Sequence, residues 1–169
     1  FKSGQRKIIL DLAVSLDGYI EGKKGEIDWC IMEPEMDFPA FLKMIDTIFY
    51  GRKSYDLWGQ FEPSENATTE DQEMWDIIKE KKKYVFSKTR KGNDGETIFI
   101  NDRIAQRVQE IKNEQGKDIW LYGGAQLIKT FMKLDLVDEF RLSIHPVILG
   151  GGLPLFVDIQ NRKDLTFVG

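Results

Sequence analysis

Short β-branched and aromatic runs alternate with segments of helical spacing along most of the chain, and that alternation restricts its fold more than any other feature. The apolar runs are Lys7 to Val14, Thr47 to Tyr50, Lys83 to Phe86, Thr97 to Ile100, Asp118 to Tyr122 and Val137 to Ile144. All are of strand length. Between them, Pro39 to Met44 is a short segment with Phe41, Leu42 and Ile45 as its apolar stripe. Thr68 to Lys82 opens on a Thr69-Glu70-Asp71-Gln72 start signal and turns Met74, Trp75, Ile77 and Ile78 to one side. Arg103 to Glu114 spaces Ile104, Val108 and Ile111 four and three apart, with Asn101 or Asp102 as its cap and Gly116 at its stop. Gln126 to Leu134 places Leu127, Ile128, Phe131 and Leu134 together. Parallel neighbours need a crossover long enough to hold a helix, so this order predicts a mostly parallel sheet with helices on both faces. One α/β domain over residues 1–169 is expected, without repeats or linkers. The loops Gly22 to Gly25 and Asn93-Asp94-Gly95 are ordinary turns. Gly150-Gly151-Gly152, directly after an apolar run, indicates a bend or a close backbone approach.

Composition removes several classes of function. A chain of 169 residues with 41% hydrophobic and 12% aromatic content can bury a core and is not a disordered segment. The single cysteine, Cys30, excludes an internal disulfide and a multi-cysteine zinc site, and the single histidine, His145, leaves too few ligands for a histidine-based metal site. No metal is expected, and metal hydrolysis and zinc deamination are poor readings. A net charge of −4 argues against a general nucleic-acid binder. No apolar run approaches the ~20 residues that span a bilayer. The initial FKSGQRK lacks the apolar core of a signal peptide, so a reducing cytoplasm is the expected compartment.

In a parallel sheet, ligands bind where strand carboxyl ends lead into helix N-termini. Three junctions carry residues suited to a phosphorylated cofactor. Phe49-Tyr50-Gly51-Arg52-Lys53-Ser54-Tyr55 ends a strand at a glycine and follows it with two cations and a hydroxyl in a short helical turn. Tyr84-Val85-Phe86-Ser87-Lys88-Thr89-Arg90 alternates hydroxyls with cations, which suits the 2′-phosphate that separates NADPH from NADH. Ile119-Trp120-Leu121-Tyr122-Gly123-Gly124-Ala125-Gln126-Leu127 sets paired glycines before an amphipathic helix, where a pyrophosphate can reach the backbone. Each junction alone is equally a solvated or tightly packed turn; the three together carry the argument.

Asp11 is a carboxylate inside an apolar strand, on the face of Ala13 and Ser15, and such a group is costly unless paired or functional. It either orients a polar heterocycle and assists protonation, or is a satisfied core or edge aspartate. Asp17 shapes a turn or contacts a ligand. Glu33, Glu35 and Asp37 read as charges ahead of a helix, Lys79 to Lys83 as a solvated helix end, and His145 as a structural or interface residue.

Taken in order, Ser15-Leu16-Asp17-Gly18-Tyr19-Ile20, Asp46 to Tyr55, Tyr122 to Leu127, Val137-Asp138-Glu139, and His145 to Gly152 with Pro154-Leu155-Phe156 resemble the RibD C-terminal reductase domain of riboflavin biosynthesis. The resemblance spans roughly residues 7 to 157 and implies a three-layer fold like that of dihydrofolate reductase. It further implies NADPH lying across the sheet. Ala13 and Val14 would border the nicotinamide, with Ile20 closing over it from a mobile first loop. Gly51, Arg52, Lys53 and Ser54 would serve the phosphates, Ser87, Lys88 and Thr89 the adenosine ribose, and Tyr122, Gly123, Gly124, Ala125, Gln126 and Leu127 the pyrophosphate. Asp11 and Asp17 are the candidates for orienting substrate. The chain departs from the family at Tyr122, where a glutamate usually precedes the glycines. Asp56-Leu57-Trp58-Gly59-Gln60 stands in place of a segment rich in aspartate and arginine. The helix carboxylate of dihydrofolate reductases has no clear counterpart here, Glu35 and Asp37 being the nearest options. The expectation is a stand-alone relative, a homodimer, reducing a pyrimidine- or pteridine-like heterocycle. Its nearest label is 5-amino-6-(5-phosphoribosylamino)uracil reductase, with dihydrofolate reductase or a nucleotide-binding module without turnover as alternatives.

Overall fold

The computed structural model describes residues 5–31, 37–59 and 63–169. Among these the elements are β1 (Ile8–Ser15), β2 (Tyr19–Glu21), α1 (Phe38–Met44), β3 (Ile45–Gly51), α2 (Arg52–Ser54) continuing into a π-helical turn (Tyr55–Gly59), and α3 (Thr69–Glu80). There follow β4 (Lys82–Phe86), β5 (Asn93–Asp94), β6 (Thr97–Ile100), α4 (Ile104–Asn113), β7 (Asp118–Gly123), α5 (Ala125–Lys133), β8 (Glu139–His145) and β9 (Leu153–Pro154). The main sheet runs β5-β6-β4-β3-β7-β1-β8. All its strands are parallel except β5, which pairs antiparallel with β6.

Side-chain alternation sorts the core into two halves. Ile8, Leu10, Phe49, Tyr84, Phe86, Ile119 and Leu121 pack with Val108 and Ile111 of α4 and Leu127, Ile128 and Phe131 of α5. Their sequence neighbours Ile9, Ile48, Tyr50, Val85 and Trp120 pack on the other face with Phe41 and Leu42 of α1 and Ile78 of α3. Each of the fully buried aliphatic or aromatic side chains contributes about 1.5–3 kcal/mol. The predicted three layers, helix on sheet on helix, follow from that period of two.

The predicted strands and main helices are present, and the differences lie at their ends. Thr68 caps α3, accepting from the Asp71 amide at 3.1 Å. α3 stops at Glu80, because the Lys83 ammonium covers the carbonyls of Ile78 and Lys79 and β4 already begins at Lys82. The lysine run is thus a helix terminator rather than only a solvated end. Arg103, in a left-handed conformation, flanks α4 without a side-chain cap. The cap position thus falls on Arg103 rather than on Asn101 or Asp102. Asp37 caps α1, whereas Glu33, Glu35 and Gln60 lie outside the described residues.

Two features missing from the sequence reading position the site. β2 pairs antiparallel with β9, joining the loop after β1 to the glycine run after β8. That contact demands Gly152, where a Cβ would fall 2.1 Å from the Glu21 carbonyl oxygen. At the amino ends of the strands, buried Arg6 donates to Asp46 (2.5 Å), the Thr47 hydroxyl and the carbonyls of Lys117 and Ile111. Nearby, Lys112 bonds Asp138 at 2.7 Å, and Asp138 also accepts from the Ile8 amide.

Candidate functional site

Because the strands are parallel, their carboxyl ends share one edge of the sheet. Register places Gly51 beside Phe86 and Tyr50 beside Gly123, so the three junctions meet at one rim. Gly51 and Gly124 approach backbone to backbone: a Cβ on Gly51 would lie 3.3 Å from the Gly124 nitrogen. A Cβ on Gly124 would lie 3.1 Å from the Ser54 hydroxyl. Gly124 then opens α5 with no side-chain cap, which leaves first-turn amides facing outward. On the same rim Asp56 bridges two loops, 3.6 Å from Arg52 and 2.9 Å from Arg90. The Ser87 hydroxyl is turned inward and accepts from the amides of Thr89 and Arg90.

Beside this rim, on the α1 and α3 face, a cleft of about 430 Å³ opens between β1, β3, β7, β8 and α3. One wall is aromatic: Phe38 meets Trp120 edge-on with centroids 5.4 Å apart, Trp120 meets Tyr122 at 5.1 Å, and Tyr122 meets Tyr50 at 4.9 Å. Trp58, Met74 and Trp75 face it. Burial pushes the phenols of Tyr50 and Tyr122 upward, Tyr122 to about 12, so both stay neutral at working pH.

Asp11 closes the floor. β1 pairs it with Arg141 of β8, Oδ2 to Nε 3.4 Å, and the guanidinium rests 4.9 Å above the Phe41 ring. The Asp11 carbonyl accepts from Trp120 Nε1 at 3.1 Å. Burial pushes the Asp11 carboxyl up to about 6, opposed by the Arg141 charge. A carboxyl that titrates near neutrality within a cleft can exchange a proton with a bound ring.

A family model for the RibD C-terminal domain matches residues 6–169. The chain belongs to the RibD C-terminal domain family. It is 60% identical to the uncharacterized protein YyaP of Bacillus subtilis (strain 168) over 97% of this chain and 87% of that protein. It is 35% identical to YwjB of the same organism, likewise uncharacterized, over 98% and 91%. Among solved structures it resembles a putative riboflavin biosynthesis protein from Shewanella sp. PV-4, with a TM-score of 0.71 and 25% identity over 92% of this chain and 86% of that one. It also resembles Acinetobacter baumannii RibD, with a TM-score of 0.65 and 17% identity over 95% of this chain; there it spans 51% of the other chain, and the likeness shows the fold alone.

In this RibD C-terminal domain, Asp11, Ala13, Ile20, Ser54, Tyr122 and Gly124 line the cleft. Gly51, Gly123, Ala125, Gln126 and Leu127 form the adjoining rim, with Arg52, Lys53, Lys88 and Thr89 exposed along it. Two expectations need correction. Val14 turns its side chain into the α4 and α5 half of the core, because strand alternation sends it away from Ala13. Asp17 is spent on the loop: its carboxylate accepts from the Ser15 hydroxyl (2.7 Å) and the amides of Leu149 (3.1 Å) and Gly150 (2.9 Å). The Ser15 hydroxyl, with those amides, holds its carboxyl below the usual range. The first loop is therefore tied down by Asp17 and the β2–β9 pair. His145 is buried, its Nε2 accepting from the Ile31 amide and its Nδ1 donating to the Ser143 carbonyl; it fastens the loop that brings Cys30 and Ile31 to the cleft.

Residues that the sequence reading placed elsewhere complete the cleft. Trp75 and Met74 read as the core stripe of α3, and Ser143 as part of an ordinary strand; no local spacing marks them as cleft residues. The donor set fits a phosphorylated dinucleotide. The amides of Ala125, Gln126 and Leu127 at the α5 terminus suit a pyrophosphate, and Arg52, Lys53, Lys88 and Arg90 supply positive charge along the same rim.

Proposed function

We propose that this domain is an NADPH-dependent reductase of a pyrimidine- or pteridine-like heterocycle, working in the cytoplasm. One observation carries the reading: the aromatic cleft floored by Asp11 runs without a break into the glycine-lined N-terminus of α5. The family and its neighbours, one of them named for riboflavin biosynthesis, support the same class of chemistry.

When bound, NADPH supplies the hydride. The α5 amides hold its pyrophosphate, and Arg52 and Lys53, with Ser87, Lys88, Thr89 and Arg90, read the adenosine side. Ala13 and Ile20 confine the nicotinamide end. Trp120, Tyr122 and Tyr50 give a flat ring a stacking surface. Asp11 hydrogen-bonds the ring and, in its protonated form, donates a proton to it; Arg141 fixes its orientation. The pairing of two copies belongs to the same reading: β8 is an edge strand of the main sheet, and Ile144 and Ile148 stand exposed near it.

The test is a titration with NADPH and NADH, followed by NADPH oxidation with a panel of reducible pyrimidines and pteridines. NADPH binding with turnover of at least one heterocycle is expected. Binding without oxidation by any of them would reduce the domain to a nucleotide-binding module, and failure to bind NADPH would remove the reading altogether.

A further inference from the structure

The charges around the cleft are lopsided. Asp11 and Glu21 line it, and among the described residues no lysine or arginine does. The stretches 32–36 (MEPEM) and 60–62 (QFE) contain no basic residue either. Arg141, a cation beside the floor, is engaged by Asp11 and the Phe41 ring. On the rim, Arg52 and Arg90 share Asp56. The polar groups left on the walls include the hydroxyls of Ser54, Ser143, Tyr50 and Tyr122. A phosphate brought into this space would meet the carboxylates of Asp11 and Glu21, with the neighbouring guanidinium of Arg141 already held by Asp11, and such a poorly compensated anion is costly to desolvate.

We propose that the heterocycle taken by this cleft carries no phosphate: it is a flat, neutral or cationic ring, stacked on the aromatic wall and hydrogen-bonded by Asp11. The inference rests on the heterocycle-reductase reading above and narrows its substrate class. Arg52, Lys53, Lys88 and Arg90 lie along the cofactor rim and Asp11 and Glu21 at the substrate end, so the two ends sort ligands by charge as well as by shape.

A matched pair of probes tests this, 5-amino-6-(ribosylamino)uracil and its 5′-phosphate, which differ only in the charged group. Binding is read by quenching of tryptophan fluorescence, since Trp58, Trp75 and Trp120 line the cleft, and by slowed maleimide labelling of Cys30, the chain's single cysteine and a residue of the same cleft. At pH 8 the unphosphorylated compound should bind about tenfold tighter or better, the scale of one like-charge repulsion near a protein surface. Glu21→Gln should narrow that ratio. Equal or tighter binding of the 5′-phosphate overturns the proposal, as does a failure of both compounds to quench and protect. NADPH is left out of these titrations, so loss of cofactor binding would sink the reductase reading while leaving the ranking of the pair legible. Conversely, NADPH oxidation by the phosphorylated compound alone would keep the reductase and sink this inference.

Discussion

A carboxyl held near pH 6 by burial changes both stability and chemistry, and Asp11 is the residue where the two can be measured together. Its folded-state value lies above that of an unfolded chain, so the folded protein binds the extra proton and loses stability as pH rises from about 4 through about 6. Asp11→Asn should therefore be about 1–2 kcal/mol more stable than the parent at pH 8, with the gap closing as pH falls toward 4; thermal melts across that range check it. The same variant should lose about 100-fold or more in turnover, the size of one general-acid contribution. The parent's kcat should decline above about pH 6, and that decline should vanish in Asp11→Asn. At the rim, Arg52→Ala should weaken NADPH by about tenfold and NADH by far less, the scale of one charge-assisted hydrogen bond. Equal losses for the two cofactors would contradict that assignment. Asp11 was legible because an acid within Ile8 to Val14 breaks an apolar alternation. Asp17 reads from the sequence as a turn residue or a candidate for orienting substrate; its loop role stayed hidden because its partners Leu149 and Gly150 lie 132 and 133 residues away.

Elements with a strong period were readable, and those defined by distant pairing were not. Alternation of Ile8, Ile9 and Leu10 between the two core halves made β1 plain. β2 and β9 are three and two residues long and exist by pairing with one another. The π-helical turn Tyr55–Gly59 likewise carries no local signature, although it sets Trp58 into the cleft. The glycine junctions were visible as glycines, but the contact between Gly51 and Gly124 needs β3 and β7 side by side. That contact gives an element-scale expectation. Gly51→Ala should press a methyl onto the Gly124 backbone, displace the start of α5, cost about 1–3 kcal/mol in urea unfolding, and weaken NADPH binding.

The whole molecule divides its labour between two edges of one sheet. The amino edge is knotted by Arg6 and by Lys112 with Asp138, while the carboxyl edge carries outward-facing amides and the cleft. Arg6→Ala should cost about 1–3 kcal/mol, because the carbonyls of Ile111 and Lys117 and the Thr47 hydroxyl lose their buried donor while the half-exposed Asp46 keeps the Lys117 amide, yet leave the affinity of the folded fraction for NADPH unchanged. Calorimetric melting and a binding titration on the same sample separate the two effects.

The backbone crowding at Gly152 makes the tail of the domain an accessory to its mouth. Tyr19 and Glu21, on either side of Ile20, pair with Pro154 and Leu153, so this lip of the cleft is hung from an early and a late stretch of the domain at once. A single methyl at Gly152 would prise that lip ajar. Product would then leave sooner and the ring would be held less long, a trade that pre-steady-state kinetics of Gly152→Ala would reveal as faster release coupled to a raised KM.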